Sequence, residues 1–337
     1  MPVAQYPTLV DLASRLDQEG HIIPIAEVLS KRDPILKLLR WKECNKTDGY
    51  LHGIRTGIPE PTFRKLYQGV QPQKSTTAQV TDTCGNIEMY AEVDKDLADV
   101  NGNTAQWRLS EQTPFFQGMG NTMAETIFYG DTDINPDRFM GISARYNQLP
   151  GAKRALAAQH VIDAGGTGDD LTSIFIISLD QFFGIYPKGS KIGLQHTDKG
   201  QETKTLPDGS MYEVYRDHYK WQAGTALEDW RGVVRVANIK ISDLVGGTGT
   251  FTSDVLVKTL IRAKNKIPAD LSTNVHMFCC EEVKTALEIA ALEKSSNAVK
   301  IVEAADQFRS LFFNIPIEVS DSISTTAVSY THLRAHE

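Results

Sequence analysis

The chain has 337 residues, of which 41% are hydrophobic, so it can form roughly two domains with conventional cores. Its 35 Lys and Arg against 42 Asp and Glu give a net charge of −7, which argues against general affinity for nucleic acid or for a membrane surface. No apolar run approaches the roughly 20 residues that span a bilayer, and the start MPVAQYPTLVDL lacks the pattern of a secretory signal.

The N-terminal part of the chain contains short helical patterns separated by glycine and proline. Leu9, Leu12 and Leu16 fall on one helical face before a glycine ends the run. Asp33–Pro34 then predicts an N-cap with proline at the first position of a helix, ILKLLRW. Pieces this short do not form a domain alone, so residues 1–48 are predicted to be an arm laid over other surfaces.

Residues 49–84, here called the ribbon, are Thr-rich, punctuated by glycine and proline, and have no apolar face. The segments GYLHGIRTGIPEP and STTAQVTDTC have the pattern of two strands, but Pro59 and Pro61 argue against a central place in a sheet. An isolated two-stranded ribbon is marginal in water. We therefore expect the ribbon to be mobile in a free subunit and ordered when docked on a partner.

Strict period-two alternation follows the ribbon and predicts a half-buried strand. Ile87, Met89, Ala91 and Val93 point to one face of this strand, and acidic residues point to the other. A well-packed strand follows a ribbon that buries nothing in its own subunit. This order indicates a subunit whose structure is completed by contacts with neighbouring subunits.

The stretch Tyr67–Gly102, with KSTTAQV at Lys74–Val80, resembles the major capsid proteins of tailed bacteriophages, which have the Hong Kong 97 coat fold. In that family the ribbon is the extended E-loop, which lies across the next subunit. The resemblance implies an α+β fold with four parts. They are the N-terminal arm (1–48), the E-loop (49–84), a peripheral β-rich domain (85–243) with a spine helix (104–128), and an axial α/β domain (244–327). Residues 328–337 are a tail outside these parts.

The segment 104–128 has apolar residues at close to helical spacing and would be the spine helix. They are Leu109, Phe116, Met119, Met123 and Ile127. Proline in a helix interior costs on the order of 3 kcal/mol, so we expect a kink or a break near Pro114. The following segment, IFYGDTDINPDRFMGI at Ile127–Ile142, resembles the turn after the spine helix in the capsid family.

Residues 172–243 have a β-rich pattern, with a hairpin turn predicted at Asp208–Gly209. From Ser253 the pattern is α/β: a helix ended by Pro268, a buried strand VHMFCC, a helix EEVKTALEIAALEK and a late strand NIPIEVSD. Strands that precede the α/β part resemble a rearranged order of elements found in some short-tailed phages.

The last residues, Ser329–Glu337, read SYTHLRAHE and resemble a translated sequencing adapter. His332 and His336 are spaced i, i+4 and on a helix could mimic two metal ligands. We interpret residues 328–337 as an artefact that contributes nothing to the fold.

Enzymatic signals are weak in this chain. DAGGTGDD at Asp163–Asp170, echoed by VGGTGT at Val245–Thr250, resembles the phosphate loops of actin-like and sugar-kinase ATPases. Those loops are hairpins between two strands, whereas the Ala-rich run before Asp163 favours a helix. Surface loops are the alternative interpretation of both segments.

Metal and redox sites are also weakly indicated. An acidic row could hold a cation on one strand face, although a solvated face is the plainer interpretation; the row is Glu88, Glu92, Asp94 and Asp96. His196 and His218 have no second ligand at metal spacing. Cysteines at 44, 84, 279 and 280 lack disulfide-framework or zinc spacing and indicate a reducing cytoplasm, with Cys279–Cys280 interpreted as buried apolar side chains.

The sequence therefore predicts a structural virion protein, not an enzyme, with no catalytic, cofactor or metal residues. The resemblance implies assembly into hexamers and pentamers of an icosahedral head around double-stranded DNA. Its expected partners are a separate scaffolding protein and a portal, with no membrane and no sequence-specific DNA binding. It would be made in the bacterial cytoplasm and reside in the virion, without an isopeptide bond at Lys65 or Lys74. The alternatives are an encapsulin-like compartment shell and the ATPase.

Overall fold

The computed structural model describes residues 33–100, 104–149, 156–246, 251–293, 299–304 and 307–326. Within these ranges there are seven α-helices: α1 Ile35–Leu38, α2 Lys95–Asp99, α3 Thr104–Tyr129, α4 Ile142–Arg145, α5 Ile241–Gly246, α6 Ser253–Lys264 and α7 Glu281–Glu293. None of these helices has the length and apolar content to cross a bilayer.

The same ranges contain fourteen strands: β1 Trp41–Glu43, β2 Tyr50–Gly57, β3 Thr76–Asp82, β4 Cys84–Asp94, β5 Val161–Asp163, β6 Leu171–Ser178, β7 Phe182–Tyr186, β8 Gln195–Thr205, β9 Met211–Leu227, β10 Val233–Lys240, β11 Val275–Cys279, β12 Val299–Ala304, β13 Gln307–Phe312 and β14 Ile315–Val319. They form a five-stranded sheet in the order β1-β7-β9-β4, with β8 also paired to β9, and a seven-stranded sheet in the order β12-β13-β14-β11-β6-β10-β5. The third sheet contains β2 and β3 alone.

The central strands β6, β10 and β11 of the seven-stranded sheet lie at the centre of the core, because both of their faces are covered. All of β6 is buried, and its side chains alternate between two apolar clusters. Ile174 and Ile176 pack with side chains of α6 and α7, whereas Phe175 and Ile177 pack with the C-terminal half of α3. Burial on both faces explains why β6 reads as a continuous apolar run rather than an alternating one.

Helix α3 confirms the predicted spine helix at 104–128 and corrects the expectation of a break. The helix is continuous from Thr104 to Tyr129 with Pro114 inside it, and Pro114 is exposed. Met123 and Ile127, by contrast, are fully buried. Tertiary burial of this face offsets the proline cost of about 3 kcal/mol, as packing rather than propensity decides most helices in proteins.

The start of the described chain differs from the predicted arm. Helix α1 ends at Leu38 and the chain turns into strand β1, with Ile35 and Leu39 buried in the subunit's own core. Asp33 does not cap α1, which Pro34 precedes. Its carboxylate instead accepts hydrogen bonds from the hydroxyls of Ser320 (2.5 Å) and Ser322 (2.9 Å). The predicted helices before residue 33 lie outside the described residues.

The strand pairing also corrects the expected division at residue 243. Strands β5, β6 and β10 precede that point, yet β6 pairs antiparallel with both β10 and β11, and β11 pairs with β14. A boundary at 243 would therefore cut through the seven-stranded sheet. Local patterns identified β6 and β10 as strands but contain no information on which distant strands they pair with.

Other predicted elements are confirmed. The Asp208–Gly209 turn joins β8 to β9, with Gly209 at φ +85° and the Ser210 amide donating to the Asp208 carboxylate. The predicted strand VHMFCC contains β11, the predicted helix EEVKTALEIAALEK contains α7, and NIPIEVSD contains β14. Helix α6 ends at Lys264, ahead of Pro268. The interpretation of residues 328–337 concerns a segment outside the described residues and stays a prediction.

Candidate assembly surfaces

The ribbon consists of two antiparallel strands, from the pair Tyr50–Asp82 at its base to Gly57–Thr76 at its outer end. Within the described chain, β2 and β3 pair only with each other. Pro59 and Pro61 lie beyond the last strand pair, so they cost no ladder hydrogen bond. The ribbon therefore extends from the five-stranded sheet as a separate two-stranded element, as the sequence predicts.

The segment that connects the two ribbon strands exposes large apolar side chains, which corrects the expectation of a ribbon without apolar surface. Phe63 and Tyr67 are as exposed as in an extended peptide, at 109% and 104%. Clustered exposure of this kind marks interaction surfaces in soluble proteins. We call these residues the tip cluster: Ile58, Phe63, Leu66, Tyr67 and Val70.

The base of the ribbon is held by a buried carboxylate. Asp82, at the end of β3, has 6% of its side chain exposed and accepts from Arg145 of α4 at 2.9 Å. The backbone amide of Leu227 donates to the same carboxylate at 3.3 Å, and the ring of His52 stands 3.8 Å away. A buried ion pair with an added amide donor fixes geometry more firmly than an exposed pair.

A second contact holds the first ribbon strand. The Tyr50 hydroxyl donates to Glu228 at 2.8 Å, and the Tyr50 ring meets Phe183 edge-on at 5.3 Å. Burial, with the hydrogen bond to Glu228, raises the pKa of Tyr50 to about 12. Both ribbon strands are thus fixed at their roots while the tip cluster remains uncovered within the subunit.

The two glutamates of the acidic row, Glu88 and Glu92, form ion pairs with side chains of β8 and β9. Hydrogen bonds from Asn86, Lys220 and His218 lower the pKa of Glu88 to about 2. Burial alone would raise the pKa of Glu92, but its contacts with Lys204 and Arg216 outweigh this and lower it.

The remaining acidic and histidine residues have equally local roles. Asp94 accepts from the Asp96 amide at the start of α2. His196 bonds Asp217 at 2.8 Å and stacks on Tyr219. Among the described residues, no group of three or more His, Cys, Asp or Glu side chains is arranged to hold a metal ion. His332 and His336 lie outside that part of the chain.

The glycine loop Asp163–Asp170 does not have the phosphate-loop arrangement. It leads from β5 to β6, and β10 lies between those two strands, so the loop is not a hairpin between paired neighbours. Asp163 accepts from the Gly165 amide and the Asn238 side chain, both at 2.9 Å. Asp170 accepts from the Ser242 amide. In the segment Val245–Thr250, Val245 lies in α5 rather than on a strand, and residues 247–250 lie outside the described residues.

Replacing both loop aspartates by Asn tests this assignment. The double substitution Asp163→Asn with Asp170→Asn is expected to leave assembly intact, because an amide oxygen still accepts the backbone hydrogen bonds. Calorimetry should detect no ATP binding to the unsubstituted protein or to the double variant. Saturable ATP binding that the double substitution abolishes would show that the loops are a nucleotide site.

The vicinal cysteines lie in the core. Cys279 and Cys280 are 0% and 3% exposed, and burial raises the pKa of Cys280 to about 11. The same cause raises the pKa of Cys279. Thiols this well buried and protonated act as small apolar side chains.

Comparisons with known proteins agree with this architecture. The family model for Major capsid protein GP7 matches residues 17–329. A chain in the near-atomic-resolution cryo-EM structure of bacteriophage Epsilon15 superimposes with a TM-score of 0.77 and 28% identity, over 97% of this chain and 99% of that one. The search of curated proteins returns no match.

A more distant solved structure shares the fold alone. A chain of the bacteriophage JBD30 capsid matches with a TM-score of 0.51 and 8% identity, over 88% of this chain and 92% of that one. The SrpI encapsulin of Synechococcus elongatus reaches a TM-score of 0.43 at 10% identity, over 73% and 99%. The family match spans most of the chain, and the fold, the ribbon and the spine helix agree with it. The chain therefore belongs to the Major capsid protein GP7 family and is a phage capsid subunit with the α+β, Hong Kong 97-like fold.

Proposed function

We propose that this capsid subunit assembles into hexamers and pentamers that close an icosahedral head around a double-stranded DNA genome, and that the ribbon ties each subunit to the next. The ribbon is the observation that supports this: its base is fixed by Asp82 and Tyr50, while the tip cluster is left uncovered. Identical subunits in a ring can cover each other's tips by head-to-tail contacts whose rotations close.

The proposal assigns the two large sheets to different parts of the shell subunit. The five-stranded sheet with α3 would form the peripheral part, and the seven-stranded sheet with α5, α6 and α7 the axial part. A separate scaffolding protein and a portal are the proposed partners. The net charge of −7 supports containment of DNA without sequence-specific adhesion, and the four free cysteines support synthesis in a reducing host cytoplasm.

Limited trypsin digestion tests the role of the ribbon. Arg64, Lys65 and Lys74 are exposed in the segment between the ribbon strands, so we expect cleavage there in unassembled subunits. In particles the same sites should be protected, because a neighbouring subunit covers them. Equal cleavage rates in both forms would contradict the proposed docking.

A further inference from the structure

Two of the four free cysteines bracket the ribbon. Cys44 directly follows β1 and Cys84 is the first residue of β4, so the chain leaves and re-enters the subunit body between them. Their sulfur atoms are 3.6 Å apart. Neither thiol has a part in the assembly contacts described above.

The surroundings hold both cysteines in place. The Cys44 amide donates to the Tyr186 carbonyl at 2.9 Å, and Cys84 pairs with Gly224 in the ladder between β4 and β9. A Cβ atom at position 224 would lie 3.1 Å from the Cys84 Cα atom. Glycine at this position therefore allows β9 to lie close to β4 beside Cys84. Cys44 packs in a small apolar cluster, against which Cys84 is partly buried.

We propose that Cys44 and Cys84 form an intrachain disulfide that closes the base of the ribbon when the protein meets a small-molecule disulfide such as oxidised glutathione. A disulfide would shorten the 3.6 Å separation of the two sulfur atoms by about 1.5 Å, to a bond of about 2.05 Å. The pair is thus a redox modification site at the root of the assembly element.

The reaction is a thiol–disulfide exchange in two steps. Cys84 is partly exposed whereas Cys44 is 3% exposed, so the Cys84 thiolate attacks the glutathione disulfide first and releases one glutathione thiolate. The Cys44 thiolate then attacks the Cys84 sulfur and releases the second. Two cysteine thiols are oxidised, one glutathione disulfide is reduced, and the two protons end on the released glutathione thiols.

The exchange is expected to be slow at neutral pH and faster in alkali. Burial raises the pKa of Cys44 and of Cys84, and the neighbouring thiol raises that of Cys84 further. A raised pKa lowers the thiolate fraction at every pH below it, and the thiolate is the nucleophile. The rate of the exchange should therefore keep rising above pH 9, where an unperturbed thiol, with a pKa of about 8.5, is already largely ionised.

Peptide mapping of the full-length protein tests the proposal. The protein is incubated with oxidised glutathione at pH 8.5 and is then denatured. Its free thiols are alkylated in the denatured state, and the chain is digested with trypsin. Cys44 lies in the peptide 43–46 and Cys84 in 75–95, so we expect a disulfide-linked pair of these two peptides. The peptide 267–284 carries Cys279 and Cys280 and provides an internal control, because both of its buried thiols should be alkylated.

A melting measurement provides a second readout. Closing the loop between the cysteines removes entropy from the unfolded chain, so the oxidised protein should melt about 5 °C higher, and dithiothreitol should abolish the difference. Cys84→Ser should remove both the linked peptides and the shift. The proposal is overturned if peptides 43–46 and 75–95 stay alkylated, if glutathione remains on Cys84 alone, or if the link joins two chains on a non-reducing gel.

Discussion

Arg145→Met is expected to destabilise the subunit more than any other single substitution at the ribbon. Arg145 forms an ion pair of 2.9 Å with Asp82, whose side chain is 6% exposed, and the substitution removes this partner. Arg145 also donates to the Thr225 carbonyl at 3.0 Å, which would lose that donor. Leaving a buried charge unpaired costs about 3–5 kcal/mol, so the melting temperature of a chain of this length should fall by roughly 4–7 °C.

Arg40→Met is the matched control for this substitution. Arg40 pairs with Asp180 at 3.0 Å, a similar distance, but its side chain is 64% exposed. Exposed pairs contribute about 0–1 kcal/mol, so the melting temperature should change by no more than about 2 °C. Equal losses in the two variants would mean that the Asp82 contact is not a buried anchor of the ribbon.

The double substitution Phe63→Ser with Leu66→Ser should affect assembly and leave the subunit intact. Both side chains belong to the tip cluster and are exposed by 109% and 84%, so they contribute no burial to the isolated fold. Exposed substitutions usually change stability by less than about 0.5 kcal/mol. If the tip packs on a neighbour in every interface of the shell, particle yield by sedimentation should fall at least about tenfold, since each lost apolar contact contributes about 1.5–3 kcal/mol.

Ile134→Ser controls for the loss of exposed apolar surface in general. Ile134 is 82% exposed and lies outside the ribbon. We expect it to leave particle yield near that of the unsubstituted protein. If Phe63→Ser with Leu66→Ser assembles normally, or if Ile134→Ser reduces yield equally, the tip cluster has no special part in assembly.

The sequence predicts the local elements of this fold well. Period-two alternation identified β4, where Ala91 and Val93 are buried, and helical spacing identified α3 and α7. These signals depend on neighbours within a few residues and survive in any tertiary context. The two-stranded ribbon was predictable for the same reason, because β2 and β3 are near in the chain and their turn and proline signals are strong.

Features that depend on distant contacts were not predictable. Strand β8, Gln195–Thr205, is almost entirely polar and is a strand because β9 pairs along its whole length. The Ala-rich run before Asp163 favours a helix, and Leu156–His160 forms a short 3₁₀ helix. Val161–Asp163 is nevertheless a strand, because β10 lies beside it. The tip cluster was not predictable either: Phe63, Leu66, Tyr67 and Val70 have the i, i+3, i+4, i+7 spacing of a helical face, yet the segment forms no helix. Their shared exposure follows from the extended shape of the ribbon.

Cryo-electron microscopy of particles assembled from this protein tests most directly whether the ribbon ties neighbouring subunits together. Particles would be produced with and without a co-expressed scaffolding protein. We expect closed shells of uniform curvature in which residues 58–75 of each subunit lie on the adjacent subunit, with Phe63 and Tyr67 buried there. A protein that remains monomeric under both conditions, or shells in which this segment faces solvent, would contradict the proposed role of the ribbon.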